Sequence, residues 1–133
     1  MTWVLDSSAL LCILNNEQGA ERVEEVLESS QPVLIHAVNL VEVHYLLLRR
    51  GGAGAWRTAV ARMHAAGIHI IRLMDDQLLA TAAEIKAFHP PIALGDVFAV
   101  ALTVGRGATL LTTDRGELEK VETAGVCSIE FLR

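Results

Sequence analysis

Short apolar runs alternate along the chain with longer stretches in which apolar residues recur every three or four positions. Residues 3–5 form a compact apolar run that ends at Asp6. Ser7 or Ser8 suits the cap of a helix to about residue 14, because a hydroxyl oxygen accepts from the free N–H groups of a first turn. Residues 18–28 place Val23, Val26 and Leu27 on one face and acids opposite, which predicts an amphipathic helix. Pro32 redirects the chain, and residues 33–35 predict a short buried strand. Residues 39–50 carry Leu40, Val43, Leu47 and Leu48 at helical spacing, and Gly51-Gly52 stops that helix. Residues 53–66 predict another helix, closed by Gly67. The β-branched run 68–73 predicts a strand. Asp75 or Asp76 caps a helix to about Phe88, which His89-Pro90-Pro91 breaks. Asp96 opens a helix to about Val104, closed by Gly105. A strand at 108–112, a short helix at 117–123 and a strand at 126–131 complete the pattern.

Strands separated by helices imply right-handed crossovers and a parallel sheet covered on both faces. The expected fold class is α/β, a three-layer α/β/α arrangement with a central parallel sheet of about five short strands. A chain of 133 residues predicts one domain, residues 1–133. Hydrophobic residues make up 52% of it and mean hydropathy is +0.39, which excludes a disordered chain. The longest apolar runs, about 97–102 and 45–48, fall far short of the ~18 residues a membrane span needs. With no basic leader segment, the expected location is the cytoplasm. Two cysteines, Cys12 and Cys127, exclude a disulfide scaffold and a Cys-rich zinc module. A net charge of −5 excludes a broad basic coat for nucleic acid, though not a local patch. So apolar a composition points to surface hidden in an oligomer or under a partner.

The acids change the picture. Of the five aspartates, Asp6 and Asp114 each lie just past the carboxyl end of an apolar strand, and Asp96 heads a nearly all-apolar helix. Glu42 sits between apolar neighbours in Leu40-Val41-Glu42-Val43. Ligands of open parallel sheets bind outside the carboxyl ends of the strands. Four carboxylates gathered there repel one another, and a divalent cation removes the repulsion. All-oxygen donors suit Mg²⁺ or Mn²⁺, and such a site can activate water for attack on a phosphodiester. Each acid also has an ordinary structural reading. Asp96 fits a helix cap, Asn39-Leu-Val-Glu42 fits a capping box, and Asp114 before Gly116 fits a turn.

In order and spacing, Val4-Leu-Asp6-Ser-Ser-Ala9, Asn39-Leu-Val-Glu42-Val, Leu94-Gly-Asp96-Val-Phe-Ala-Val-Ala101 and Leu110-Leu-Thr-Thr-Asp114 resemble the PIN domain family, and within it the VapC-type toxin ribonucleases. The resemblance covers essentially the whole chain. It implies a metal-dependent endoribonuclease of a type II toxin–antitoxin system, with Asp6, Glu42, Asp96 and Asp114 as an acidic quartet holding Mg²⁺ or Mn²⁺. It implies that the Thr112 hydroxyl supports Asp114 or a metal-bound water, and that Ser7 plays a similar part at Asp6. It also implies an RNA substrate, a cognate VapB-like antitoxin laid across the groove, and a homodimer. The family often carries an aromatic residue where Glu117 or Leu118 stands here. Glu117 is expected to be a solvated first-turn acid, with an outer role at the metal as the alternative.

The other signals are weaker. Gly51-Gly-Ala-Gly54 lacks the third glycine of a dinucleotide loop and follows a helix. The five histidines show no ligand spacing. Arg115, beside Asp114, and Arg49 are candidate RNA contacts, with a role at the helix dipole as the alternative for Arg49. A phosphatase or receiver domain is the competing enzyme class. It wants a second early acid or a late lysine, and Ser8 and the absence of lysine close behind residues 108–112 argue against it. A catalytically idle module whose acids receive a basic partner segment is the third class.

Overall fold

The computed structural model describes residues 1–133. Five strands, β1 (Trp3–Leu5), β2 (Val33–His36), β3 (His69–Ile71), β4 (Thr109–Thr112) and β5 (Ser128–Phe131), form one sheet in the order β3-β2-β1-β4-β5. Every pairing is parallel, with Val4 opposite Leu34 on one side and Leu110 on the other. Six helices connect them: α1 (Ser7–Leu14), α2 (Ala20–Glu28), α3 (Ala37–Ala66), α4 (Asp76–Phe88), α5 (Leu94–Arg106) and α6 (Arg115–Thr123).

Strand side chains alternate between the two faces, and each face has its own core. Trp3, Leu5, Val33, Ile35 and Leu111 pack against α1, α2 and α3 through Leu10, Val23, Val26, Val43, Leu47 and Met63. Val4, Leu34, Leu110 and Ile129 pack against α4, α5 and α6 through Leu78, Ile85, Val97, Leu102, Leu118 and Val121. This is the expected α/β/α sandwich. With both faces covered, β1 reads as a continuous apolar run.

The boundaries shift where a cap competes with its neighbours. Asp6, not Ser7 or Ser8, caps α1 and accepts from the Ala9 N–H. His36 caps α3, its Nδ1 accepting from Val38 N at 3.1 Å, so the Asn39–Glu42 capping box does not form and Glu42 sits well inside the helix. The expected stop at Gly51-Gly52 is a kink at Gly52 alone (φ 71°, ψ −166°), after which the helix resumes. Helix α5 starts two residues before Asp96 and ends at Gly107, not Gly105. Asp114 caps α6, which therefore begins at Arg115 and not at Glu117.

Candidate acidic active site

Strand β1 leads to β2 and β3 on one side, and the chain then crosses to β4 and β5 on the other. The crevice between the carboxyl ends of β1 and β4 is the switch point at which open α/β sheets bind ligands. Asp6 leaves β1 there, and Asp114 follows β4 by two residues. A cleft of about 490 Å³ opens above them, lined by Asp6, Glu42, Asp96 and Asp114 together with apolar side chains that include Val41 and Tyr45. Four acids spread over more than a hundred residues of sequence thus share one concavity.

Asp6 is 1% exposed and held on all sides. Its Oδ1 accepts from Ala9 N at 2.9 Å and from Ser8 Oγ at 2.6 Å, and its Oδ2 accepts from Thr112 Oγ1 at 2.5 Å. Thr112 Oγ1 in turn accepts from Asp114 N at 3.0 Å, and Ser8 Oγ accepts from Thr113 N at 2.9 Å. Two hydroxyls therefore weld the end of β4 to the start of α1. Burial pushes the Asp6 carboxyl above its ordinary range; the bonds from Ser8, Thr112 and Ala9 pull the other way, and the Asp114 charge adds to the upward push. Thr112 bonds both to the Asp6 carboxylate and to the Asp114 backbone. Ser7 does not support Asp6. Its hydroxyl donates to the Asn39 carbonyl at 2.9 Å, because the Asp6 cap turns Ser8, not Ser7, toward the carboxylate.

Asp114 Oδ1 accepts from Glu117 N at 3.2 Å as the cap of α6. Asp96, in the first turn of α5, is half-buried. Burial first, then a proton shared with Glu117, then the charges of Asp6, Asp114 and Glu117 push its carboxyl up to about 8. Glu117 moves the opposite way, lowered by a 2.8 Å bond from Ala93 N and by Asp96. Oxygens of Asp96, Asp114 and Glu117 lie within 4.8 Å of one another. Glu117 is thus part of the acid cluster, a correction to its reading as a solvated first-turn residue: with Asp114 as the cap and α6 beginning at Arg115, Glu117 is the third residue of the helix and its side chain reaches Ala93 at the start of α5. Glu42 approaches from α3; its Oε2 would lie 3.8 Å from a Cβ built on Gly95.

No arginine or lysine pairs with these acids. The three ion pairs of the protein, Arg22–Glu25, Arg22–Glu130 and Arg133–Glu17, lie outside the cleft lining. An all-carboxylate cluster whose oxygens lie within 4.8 Å of one another, with no ion-paired counter-charge, has the donor chemistry that fits a hard divalent cation. Of the two expected RNA contacts, Arg49 lies with its guanidinium 4.8 Å from the ring centroid of Tyr45, a wall of the cleft. Arg115 is engaged elsewhere. It stacks on Phe131 and donates to the Arg133 carbonyl at 2.8 Å, a position set by the earlier start of α6.

One buried group is unpaired. Asn39 Nδ2 donates to the Gly95 carbonyl at 3.0 Å, but its Oδ1 has no donor. A buried acceptor left unpaired costs about 1–3 kcal/mol. Sequence reasoning took Asn39 for a cap, and nothing in its spacing pointed across to α5.

Comparison with known proteins places this geometry. Ribonuclease VapC42 of Mycobacterium tuberculosis is 29% identical over 114 residues, 81% of this chain and 87% of the relative. Ribonuclease VapC30 of the same species is 26% identical over 113 residues, 81% and 86% of the two chains. Among solved structures, VapBC2 from Rickettsia felis, bound to a DNA fragment from its promoter, superposes with a TM-score of 0.75 at 15% identity over 98% of each chain. VapC20 of M. tuberculosis, a sarcin-ricin loop cleaving toxin, gives 0.72 at 21% identity over 90% of this chain and 94% of its own. Similarities at that level of identity establish the fold. The model of the PIN domain matches residues 3–123, from the first strand to the end of α6, and the chain belongs to that family.

Proposed function

We propose that this protein is a divalent-cation-dependent endoribonuclease, the toxin of a toxin–antitoxin pair, acting at the cleft above β1 and β4. The observation that carries the reading is the convergence of Asp6, Glu42, Asp96 and Asp114 on one cleft without a basic partner. Both curated relatives above are named ribonucleases. Asp6, Asp96 and Asp114 would hold Mg²⁺ or Mn²⁺, with Glu117 beside them. The cation, when bound, supplies a Lewis acid for the phosphate oxygens and lowers the pKa of water.

The protein's own residues do the rest. Ser8 and Thr112 fix both oxygens of Asp6, so its orientation does not change when charge enters. Asp96, ionised when a dication enters, adds a fourth negative charge beside Asp6, Asp114 and Glu117, and the dication offsets part of that charge. Glu42 accepts no hydrogen bond from the protein, and its carboxylate is free to take a proton from the attacking water. Arg49, stacked on Tyr45 at the cleft wall, meets the phosphate backbone. With a net charge of −5, RNA is held through the cation and a few local contacts, not through a broad field. The same acidic cleft, flanked by the exposed Val41 and Tyr45, suits a basic, partly apolar antitoxin segment, and one solved structural neighbour is a toxin–antitoxin complex from Klebsiella pneumoniae. No helix is long and apolar enough to cross a membrane. A homodimer is the assembly in which we expect the toxin to work.

The test is cleavage of a single-stranded RNA with Mg²⁺, with Mn²⁺ and with EDTA. Cleavage is expected with either cation, none with EDTA, and loss to background in Asp6→Asn. Activity that survives chelation or the substitution refutes the proposal.

A further inference from the structure

Four of the six helices begin with a side-chain cap: Asp6 on α1, His36 on α3, Asp75 on α4 and Asp114 on α6. Helix α5, which carries Asp96 in its first turn, has Ala93 at the cap position and no side-chain cap bond. Its first turn is held from outside instead. Glu117 on α6 accepts from Ala93 N, and Asn39 on α3 donates to the Gly95 carbonyl.

Asn39 is fully buried, and it is the sole residue with a buried side-chain polar atom lacking a partner. Turning the amide over would face Oδ1 with the Gly95 oxygen, two acceptors together, so the observed orientation is forced. The bond to Gly95 and the orphaned Oδ1 roughly offset each other in stability, and a leucine of similar size would fill the space without either. What the amide contributes is geometric. Asn39 lies three residues before Glu42, on the same face of α3. A single Cβ built on Gly95 would lie 3.9 Å from Asn39 Nδ2 and 3.8 Å from Glu42 Oε2, so the Gly95 backbone wedges between the clamp and one acid and leads directly to the next.

We infer that Asn39 is a positioning residue of the acidic site: by gripping the Gly95 carbonyl it fixes the uncapped start of α5, and with it the distance of Asp96 from Glu42. The inference rests on the reading of the cleft as a cation site. The Glu117 carboxylate, by contrast, lies within the acid cluster and would be drawn on by any bound cation as well as by Ala93 N. The Asn39 side-chain amide has no partner besides Gly95.

The test compares Asn39→Leu and Asn39→Ser with a control, Thr103→Val, which removes a buried hydroxyl bond (to Ala99 O, 2.8 Å) in the body of α5. Mn²⁺ affinity is read from the electron paramagnetic resonance of free Mn²⁺. Amide exchange is read at Val97, whose N–H makes the first backbone bond of α5 to Ala93 O. Both Asn39 variants are expected to bind Mn²⁺ about tenfold or more weakly and to exchange faster at Val97 with or without the cation. The control is expected to keep the Mn²⁺ affinity of the unsubstituted protein. Unchanged Mn²⁺ affinity in the Asn39 variants overturns the inference, as does an equal loss in the control. Absence of Mn²⁺ binding to the unsubstituted protein overturns the cation-site reading instead, and unaltered exchange at Val97 then removes the clamp as well.

Discussion

The Asp96–Glu117 pair makes stability depend on pH in a definite direction. An aspartate in the unfolded chain loses its proton near 3.8, whereas Asp96 in the folded protein holds it up to about 8. Between those values the folded state keeps a proton that the unfolded state has released, so stability falls as pH rises, by about 1.4 kcal/mol per pH unit at most. The full span bounds the loss at about 6 kcal/mol. Two effects reduce it. Asp96 is partly open to solvent, and Glu117, lowered from its ordinary value, contributes stability that is present above its unfolded pKa. A loss of about 2–3 kcal/mol between pH 5 and pH 9 remains. Asp96→Asn replaces the protonated carboxyl by an amide of the same shape that can still donate to Glu117, and it does not titrate. Urea unfolding in EDTA at pH 5, 7 and 9 should therefore show the variant gaining on the native protein by about 2 kcal/mol across the series. Parallel pH profiles would refute the shared-proton arrangement. With Mg²⁺ present the order should reverse, because the substitution removes one of the carboxylates proposed to hold the cation.

Saturating Mg²⁺, at about a hundred times its Kd, should stabilise the folded protein by about 2.7 kcal/mol and raise Tm by about 10 °C; a scanning-calorimetry trace that does not move denies the cleft a cation. Thr112→Val removes the donor to Asp6 and the acceptor of Asp114 N, and should cost about 1–3 kcal/mol in urea unfolding with a drop in cleavage of about 10–100-fold; an unchanged rate would reduce Thr112 to packing. Glu117→Gln keeps an acceptor for Ala93 N but loses the charge. Its Mg²⁺-induced Tm rise should be smaller, whereas an undiminished rise would return Glu117 to an ordinary first-turn acid.

The layers and the positions of the acids were legible in the sequence because both follow from spacing. Runs such as Trp3–Leu5 and Thr109–Thr112 are too short and too apolar for anything but a buried strand, and an acid just past such a run lies at the ligand edge of a parallel sheet. What was not legible depends on one-residue offsets and on contacts between distant elements. Asp6 outcompetes Ser7 and Ser8 as a cap, and that single step swaps the roles of the two serines. The start of α6 at Arg115 turns Arg115 toward Phe131 and brings Glu117 to α5. Asn39 looked like a cap because Asn, Leu, Val and Glu fit that pattern; His36 took the position, and the amide was left to reach across the fold.

The placement of β1 in the middle of the sheet has a mechanical consequence. Asp6 and Asp114 ride on neighbouring strands that are each hydrogen-bonded on both sides, the part of such a protein that opens last. Asp96 and Glu117 ride in the first turns of α5 and α6, where the backbone N–H groups lack partners within the helix, and Glu42 rides on α3. The cleft therefore has one rigid jaw and one compliant jaw. Whatever enters it, nucleic acid or a protein that silences it, works against the helix ends, and the sheet supplies the fixed reference from which their movement is measured.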